Sequence, residues 1–358
     1  MKKALKIIGI SLISIILIII AYVSYVFISY YRIEDNLEID IENNQELAFD
    51  ISKTYKISTY NIGFGAYEQN YSFFMDEGMM LDGTKTRGTH SRALGKDNVI
   101  NNVSGAIKVI EDLNPDFAFF QEVDIKGQRS YKVNQKTMIA DKMSVYASSF
   151  AINFHSAYLF YPFNEPIGKS ESGIMTLSKY KITDGMRISL PLTGNILSDL
   201  FDLDRCIMIN RIKINDNKDL VLINVHLSAY DEGGKVRQKQ MEVLNKVLAK
   251  EKNNYVIVGG DFNQALCETN FPTKQEVAPW CQDFHTDLLD ADFRIACASN
   301  TSTCRCADIE YEKGVNYELV IDGFLVGPKV EVVNIENIDT EYKYSDHNPV
   351  KMEFRLLP

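Results

Sequence analysis

One stretch, Tyr-Val-Ile-Val-Gly-Gly-Asp-Phe-Asn at positions 255–263, constrains the fold of this chain more than any other. An apolar run that ends in two glycines is typical of a buried strand followed by a tight turn. Glycine lets the backbone bend where a side chain would clash, so Asp261 and Asn263 are expected side by side at the strand's carboxyl end. A carboxylate next to an amide suits a hard cation or a phosphate better than it suits a protein core.

Other predicted strands also end in a polar side chain. Together the strand ends carry Asn61, Glu122, His226, Asp261 with Asn263, Asp322, and Asp346 with His347. In open α/β sheets, ligands bind at the carboxyl ends of the strands. Each residue alone also fits an ordinary role, such as a turn cap or a core histidine, but chance accounts for only one or two. We therefore predict a single site, and we expect His90, His155 and His285, which lie outside the pattern, to be surface or structural residues.

Apolar periodicity predicts the elements that carry these residues. Helices are predicted at 97–113, around 137–143 and at 235–251. Strands are predicted at 55–61, 117–120, 148–154, 173–177, 206–214, 220–225, 255–258, 319–321, 330–335 and 350–356. The turn at 215–217 is of the hairpin type. There is no internal repeat and no low-complexity tract.

The composition permits a full hydrophobic core, because 46% of the 358 residues are hydrophobic and 24% are charged. A formal net charge of −10 argues against a broad electrostatic surface for nucleic acid, although a local basic groove is compatible with it. Cations that could bind a second phosphate or a head group are Arg129, Lys169, Arg205 and Arg305, for which a solvated surface position is the competing interpretation.

The first thirty residues differ from the rest of the chain. Residues 7–28 are almost wholly apolar, about the length that crosses a bilayer. A cleavable signal peptide would have a shorter apolar core and a small-x-small cleavage site. Lysines before the run and acidic residues after it predict a cytoplasmic N-terminus. The expected segments are therefore a cytoplasmic N-terminus at 1–6, a transmembrane anchor at 7–31, an acidic stalk at 32–53 and a domain at 54–358 outside the membrane.

Cysteine usage agrees with an oxidising location. Of the six cysteines, those at 267, 281, 297, 304 and 306 crowd one segment. One or two disulfides within this loop are predicted, with no pairing assigned. A zinc site is the alternative, but the spacing of Cys304 and Cys306 is too short for common zinc knuckles and no histidine follows at ligand spacing. A reactive thiol is the third possibility.

Taken together, the motifs resemble those of the endonuclease/exonuclease/phosphatase superfamily, which includes pancreatic-type deoxyribonucleases, neutral sphingomyelinases and inositol-polyphosphate phosphatases. In order along the chain they are Thr59-Tyr60-Asn61, Gln121-Glu122-Val123, Asn224-Val225-His226-Leu227, Gly260-Asp261-Phe262-Asn263, Ile321-Asp322-Gly323 and Ser345-Asp346-His347-Asn348-Pro349. The resemblance covers the chain from about Tyr55 onward. It implies a four-layer α/β sandwich, two mixed sheets packed face to face with helices outside, as one domain.

The resemblance also implies a metal site. Glu122 would be the main ligand, with Asn61 beside it and Asp346 contributing directly or through water. Mg²⁺ is the expected ion, with Mn²⁺ or another divalent cation as the alternative, because Mg²⁺ takes oxygen ligands and keeps several waters.

Catalytic roles follow from the same resemblance. Asp261 would orient or deprotonate the attacking water or act on the leaving group, and Asn263 would hold a phosphate oxygen. His347, held by Asp322, would stabilise the charge of the transition state. His226 would lie near the phosphate. The division of acid and base between the two histidines stays open.

The leading hypothesis is a Mg²⁺-dependent hydrolase of phosphate esters outside the membrane, with lipid head groups a natural substrate for an anchored enzyme. A membrane-anchored nuclease and a non-catalytic binding protein that keeps the fold are the alternatives. No obligate protein partner is expected. The loops at 66–96 and 267–306, which follow Asn61 and Asp261, are expected to surround the mouth of the site.

Overall fold

Two large β-sheets face each other in the structure, a computed structural model that describes residues 2–47, 49–195, 199, 203–229 and 232–358. The helices are α1 (Lys2–Ser29), α2 (Lys96–Leu113), α3 (Gln135–Lys142) and α4 (Lys235–Glu251). The strands are β1 (Leu37–Glu38), β2 (Ile41–Glu42), β3 (Tyr55–Asn61), β4 (Glu77–Met79), β5 (Lys85–Arg87), β6 (Phe117–Asp124), β7 (Ala147–His155), β8 (Glu171–Ser178), β9 (Asp184–Ser189), β10 (Cys206–Asn215), β11 (Lys218–His226), β12 (Tyr255–Asp261), β13 (Arg294–Ala296), β14 (Cys304–Arg305), β15 (Glu318–Leu319), β16 (Asp322–Val326), β17 (Val330–Asn337) and β18 (Val350–Leu356).

Both large sheets are mixed. The first sheet has the strand order β1-β9-β10-β11-β12-β16-β13, and the second has β17-β18-β3-β6-β8-β7-β2. The pairs β11–β12 and β3–β6 are parallel, whereas their neighbours β10, β16, β18 and β8 pair antiparallel with them. The predicted hairpin of β10 and β11 is confirmed. Each sheet therefore has one parallel pair at its centre, and the carboxyl ends of the paired strands lie together.

Three large clusters form most of the hydrophobic core of the described residues, and these define the layers. Tyr55 and Phe117 of the second sheet pack against Tyr255 and Phe324 of the first sheet, between the two sheets. A second cluster joins α2 and α3 to the outer face of the second sheet. A third joins α4 to the outer face of the first sheet. The predicted four-layer α/β sandwich is confirmed.

The central strand β12 is buried along its whole length, as predicted, but it does not end at Val258 in a turn at the two glycines; it continues through them to Asp261. A Cβ atom on Gly259 would lie 2.5 Å from the ring of Phe324, so this glycine lets the strands pack closely. Gly260 has φ +142°, and a Cβ atom there would lie 2.0 Å from the carbonyl oxygen of Val225. Only glycine fits this backbone.

The predicted helices also match the structure closely. Helix α4 has the predicted bounds and buries Met241, Leu244, Val247 and Leu248 along one face. Helix α2 ends at Asn114, which adopts a left-handed conformation before the following proline. Apolar spacing at three to four residues was sufficient to place both helices.

The acidic segment at 32–53, predicted as a stalk, does not stand apart from the domain. Strand β1 pairs with β9 at the edge of the first sheet, and β2 pairs with β7 at the edge of the second. Phe49 stacks on Tyr55 with ring centroids 4.2 Å apart. Edge strands carry unpaired backbone groups that can bind a further strand. The segment therefore covers one edge of each large sheet.

Helix α1 is long and apolar enough to cross a membrane. It has 28 residues, and its most apolar part is not buried against the rest of the protein. By length and composition it fits a membrane anchor or a signal sequence. It begins at Lys2 and ends at Ser29, where the sequence predicted an anchor at 7–31.

The cysteine-rich loop contains one disulfide within the described residues, between Cys267 and Cys297. Cys281, Cys304 and Cys306 are free thiols, and Cys304 and Cys306 are buried. Burial raises the pKa of the Cys304 thiol to about 12. A thiol in that state is unreactive at neutral pH.

Candidate active site

The two parallel strand pairs bring the predicted polar residues to one edge of the sandwich. Asn61 lies opposite Gln121 in the second sheet, and His226 lies opposite Asp261 in the first. Asn61 Nδ2 donates a hydrogen bond to Asp261 Oδ2 at 2.9 Å. This bond joins the two sheets directly at the site.

Two of the acids are presented differently from the prediction. Glu122 does not follow a strand that ends at 120, because β6 continues to Asp124 and the register with β8 shifts between Phe120 and Val123. Within this bulge Glu122 has φ +56°, an uncommon conformation that occurs at functional sites. Asp322 begins β16 and does not follow a strand. Because β16 runs antiparallel to β12, its first residue still lies opposite Asp261.

Asp261 is the most connected side chain of the site. Its Oδ1 accepts a hydrogen bond from the backbone N–H of Asn263 at 2.8 Å, and Asn263 has φ +51°. Its Oδ2 lies 3.5 Å from His226 Nε2 and 3.8 Å from His347 Nε2. Burial and the neighbouring charge of Asp322 raise the pKa of Asp261 to about 6. The carboxyl group therefore changes its protonation state close to neutral pH.

The two histidines have opposite electrostatic surroundings. His347 Nδ1 lies 2.8 Å from Asp322 Oδ2. Burial is the largest single effect and lowers the pKa of His347, but the charge and hydrogen bond of Asp322, with the neighbouring Cys304 and Asp346, together raise that pKa well above 6.5. Burial, with the positive charges of Arg205 and His347, lowers the pKa of His226 well below 6.5. At neutral pH His347 is charged and His226 is neutral.

Glu122 and Asp346 are the acids best placed to hold a cation. Both line one cavity, and the Glu122 side chain is 24% exposed. Burial raises the pKa of Asp346 to about 7, and the charge of Glu122 contributes to the increase, against the opposing charge of His347. Asn61 Nδ2 is 3.3 Å from Glu122 Oε1. With the amide of Asn61, these two carboxylates form an oxygen-rich set that a divalent cation fits.

A second group could also hold a metal by distance alone. Ligand atoms of Asp261, Asp322 and His347 all lie within 4.8 Å of one another. However, His347 Nδ1 is already hydrogen-bonded to Asp322 Oδ2, and all three side chains are almost fully buried. Glu122 and Asp346 therefore fit a hydrated Mg²⁺ better, because this ion keeps several of its waters.

The cavity at this edge has a volume of about 440 Å³. The predicted site residues that line it are Glu122, His226, Asp261, Asn263, Asp346 and His347. Asn61 and Asp322 lie behind them and are hydrogen-bonded to Asp261 and His347. The structure thus brings the whole predicted set together.

Three arginines that the sequence left as equally compatible with the solvated surface lie next to the site, Arg205 and Arg305 buried and Arg129 with 12% of its side chain exposed. Arg129 pairs with Asp124 at 2.9 Å, and its guanidinium lies 3.9 Å from the ring centroid of Phe64. Arg205 and Arg305 are 4% and 1% exposed, and both line the cavity with Arg129. A local basic wall therefore exists in an acidic protein. Lys169 does not line this cavity.

Loops surround the mouth of the cavity as predicted. The 66–96 loop contributes Tyr67, Phe73, Met75, Asp76 and Ser91, and the 267–306 loop contributes Trp280, Cys304 and Arg305. A third loop, between β7 and β8, contributes Leu159 and Ile167. The sequence analysis did not identify this third loop, although its run of aromatic residues at 158–163 was a visible signal.

Comparison with known structures reveals the same fold in proteins of low sequence identity. An endonuclease/exonuclease/phosphatase protein from Beutenbergia cavernae DSM 12333 superposes with a TM-score of 0.55 at 14% identity, over 85% of this chain and 72% of that chain. D. rerio TDP2 complexed with single strand DNA product superposes with a TM-score of 0.52 at 16% identity, over 85% of this chain and 99% of that chain. The human Nocturnin catalytic domain with bound sulfate anion superposes with a TM-score of 0.51 at 13% identity, over 89% of this chain and 97% of that chain.

Sequence comparison extends this result. Among curated protein sequences, none matches the chain at a significant level. A sequence model of the Endonuclease/Exonuclease/phosphatase family, however, matches residues 58–347, which is most of the chain and contains every predicted site residue from Asn61 to His347. The chain therefore belongs to the endonuclease/exonuclease/phosphatase family.

Proposed function

We propose that this protein is a divalent-cation-dependent hydrolase of phosphate esters, held in a membrane by its N-terminal helix. Members of its family are phosphoester hydrolases. The observation that carries the proposal is the environment of Asp261, which is bonded to Asn61 and Asn263 and flanked by His226 and His347 in one cavity.

Glu122 and Asp346 would hold the cation, and Asn61 would align Glu122 with Asp261. When bound, Mg²⁺ neutralises charge on the phosphate oxygens that otherwise repel a nucleophile. The raised pKa of Asp346, about 7, supports this assignment, since it reflects an acid that burial keeps from ionising without a cation. Mn²⁺ or another divalent ion with oxygen preference would serve the same residues.

Asp261 would orient the attacking water and accept its proton. A pKa of about 6 suits a general base at neutral pH, because the group is ionised yet still basic. His347, charged through its bond to Asp322, would stabilise the negative charge that develops on the phosphate. His226, neutral at the same pH, would donate a hydrogen bond from Nε2, and Asn263 would position a phosphate oxygen.

Contacts with the folded domain support an anchor over a removed signal sequence. Tyr22 Oη donates to the carbonyl oxygen of Tyr158 at 2.9 Å, and Val26 is 3% exposed beside Ala157. A segment destined for cleavage has no need of such contacts. The lysines at its start and the acids after its end favour a cytoplasmic N-terminus and an external domain.

A nuclease is the second candidate, favoured by the wall formed by Arg129, Arg205 and Arg305. Guanidinium groups suit the repeated phosphates of a nucleic acid. The structure of D. rerio TDP2, which has a similar fold, contains a bound single-stranded DNA product. The net charge of −10 counts against this candidate. A non-catalytic binding protein is the third, and the intact set of site residues argues against it.

The proposal is tested by assaying the full-length protein in detergent micelles against duplex DNA, RNA, sphingomyelin, phosphoinositides and bis-p-nitrophenyl phosphate, with Mg²⁺ or EDTA. We expect Mg²⁺-dependent cleavage of at least one ester and its loss in Asp261→Ala. An absence of cleavage with every divalent cation tested would contradict the enzyme assignment. Wild-type activity of Asp261→Ala would contradict the site assignment. Preferential cleavage of DNA or RNA would favour the nuclease.

A further inference from the structure

The loop between β7 and β8, residues 156–170, carries exposed aromatic side chains. Phe160, Tyr161 and Phe163 are 49%, 57% and 84% exposed. We call this segment the aromatic loop. Clustered exposed aromatic residues on a folded domain mark a surface that contacts a partner or a membrane.

The aromatic loop lies against the carboxyl-terminal part of α1. Tyr22 donates to the carbonyl oxygen of Tyr158 at 2.9 Å, and the backbone N–H of Tyr158 donates to Tyr25 Oη at 3.1 Å. The rings of Tyr22 and Phe160 meet edge to face with centroids 5.1 Å apart. The loop therefore lies at the same height along the helix as residues 22–25.

That height lies in the outer part of the hydrocarbon core, close to its boundary with the head groups. The apolar run of α1 ends at Ile28, and at about 1.5 Å per residue Tyr22 lies roughly 9 Å before that end. The run spans about 30 Å, the thickness of the hydrocarbon core. Aromatic residues favour the boundary between hydrocarbon and head groups, which is where Phe160 and its neighbours would lie.

Contacts just beyond the helix hold the domain in one orientation. Arg32 forms an ion pair with Asp204 at 2.8 Å, and the Ile33 N–H donates to the same carboxylate at 2.7 Å. Tyr31 stacks on His155, with ring centroids 4.0 Å apart, directly before the aromatic loop. The domain is thus connected to its helix by a structured joint and not by a free linker.

The same loop forms part of the cavity mouth. Leu159 and Ile167 line the cavity. The ring centroids of Tyr161 and Phe74 lie 5.8 Å apart. Phe73 and Met75, on either side of Phe74, also line the cavity. One of them, Met75, is 45% exposed. An apolar surface therefore continues from the membrane helix, through the aromatic loop, to the catalytic cavity.

We propose that the aromatic loop inserts at the boundary between hydrocarbon and head groups of the bilayer that contains α1, and that the cavity takes a phosphate ester of a lipid from that same bilayer. A bilayer is the occupant because the aromatic surface is continuous with a membrane-spanning helix at interfacial height. The apolar mouth would receive the part of the lipid next to the phosphate. The lipid-substrate half of this inference rests on the proposed hydrolase function, whereas the insertion half does not.

Insertion is tested with full-length protein in phosphatidylcholine vesicles that contain lipids brominated on their acyl chains. Phe163→Trp adds an indole in the aromatic loop, and the emission of the native Trp280 is subtracted with wild-type protein. Val145→Trp is the matched control. Val145 is 66% exposed and lies just before the start of β7, at the opposite end of that strand from the aromatic loop. We expect quenching of the indole at 163 and not at 145. Equal quenching at both positions, or none at 163, would overturn the insertion.

The substrate is tested with Phe160→Ser/Phe163→Ser and the control Val145→Ser. We expect the double variant to lose about tenfold in kcat/KM on phospholipid or sphingolipid in vesicles, while keeping its rate on soluble bis-p-nitrophenyl phosphate. Equal loss on both substrates, or loss on neither, would overturn the role of the loop in lipid capture. If wild type cleaves no ester at all, the proposed function and the lipid substrate fall together, and the quenching result alone still decides the insertion.

Discussion

Asp261 connects the two halves of the site, because it accepts hydrogen bonds from Asn61 of one sheet and from Asn263 of the other. We expect Asp261→Asn to lower kcat by roughly 10²–10⁴-fold, since the amide keeps the shape but cannot accept a proton. Steady-state kinetics on the best substrate of the panel measures this. Asp216→Asn, a change at a side chain that is 97% exposed, serves as control and should retain full activity.

Asp346 makes the site sensitive to pH through its cation. Its pKa of about 7 lies above the ordinary value of 3.8, so below pH 7 the carboxyl group is neutral and must lose a proton when a cation binds. The Mg²⁺ concentration for half-maximal activity should therefore rise as pH falls, by at most about tenfold per pH unit below 7. Mg²⁺ titrations at pH 6 and pH 8 measure the change. A constant half-maximal concentration would exclude Asp346 as a ligand.

At the scale of single elements, local pattern accounted for most of the structure. The buried face of α4 and the apolar first half of β12 follow directly from side-chain periodicity, whereas the continuation of β12 through Gly259 and Gly260 does not. The bulge at Glu122 could not be predicted from local pattern, because a bulge depends on the register with β8, a strand about fifty residues later. The pairing of β1 and β2 with the two sheet edges also depends on partners far along the chain.

Gly260 is where β12 depends most on a single residue. A methyl group at this position would collide with the backbone of Val225, which cannot move without disrupting β11. We expect Gly260→Ala to lower the free energy of unfolding by about 3 kcal/mol. Gly314→Ala is the control, because Gly314 also has positive φ, +77°, but its nearest neighbouring atom would be 3.9 Å away; it should cost about 1 kcal/mol. Urea unfolding measures both, and equal losses would show that close packing at Gly260 is unimportant.

The disulfide between Cys267 and Cys297 closes a segment of the loop that forms one wall of the cavity. With a sequence separation of 30, its removal in Cys267→Ala/Cys297→Ala should lower the free energy of unfolding by about 3 kcal/mol. Cys281→Ala, which removes a free thiol from the same loop, should change stability far less. If a reducing agent and the double variant both leave the unfolding curve of the protein unchanged, the bond does not contribute to stability.

At the scale of the whole molecule, the order of six motifs predicted which residues would meet, although they are spread from Asn61 to His347. The motif order could not predict that Arg205 and Arg305 would be buried and Arg129 nearly so. Their burial depends on partners such as Asp124 and on backbone carbonyl groups brought close by folding. The contact of the aromatic loop with α1 was hidden for the same reason, because it joins segments separated by 136 positions.

The central claim is that one cavity, formed where two sheets end, hydrolyses phosphate esters with a cation held by Glu122 and Asp346. The most direct measurement is the release of p-nitrophenol from bis-p-nitrophenyl phosphate by full-length protein, as Mg²⁺ is titrated into wild type and Glu122→Gln. We predict saturable activation of wild type, reversed by EDTA, and a Glu122→Gln rate lower by roughly 10²-fold or more at every Mg²⁺ concentration. Hydrolysis that is independent of divalent cations, or the same Mg²⁺ activation in both proteins, would contradict the account.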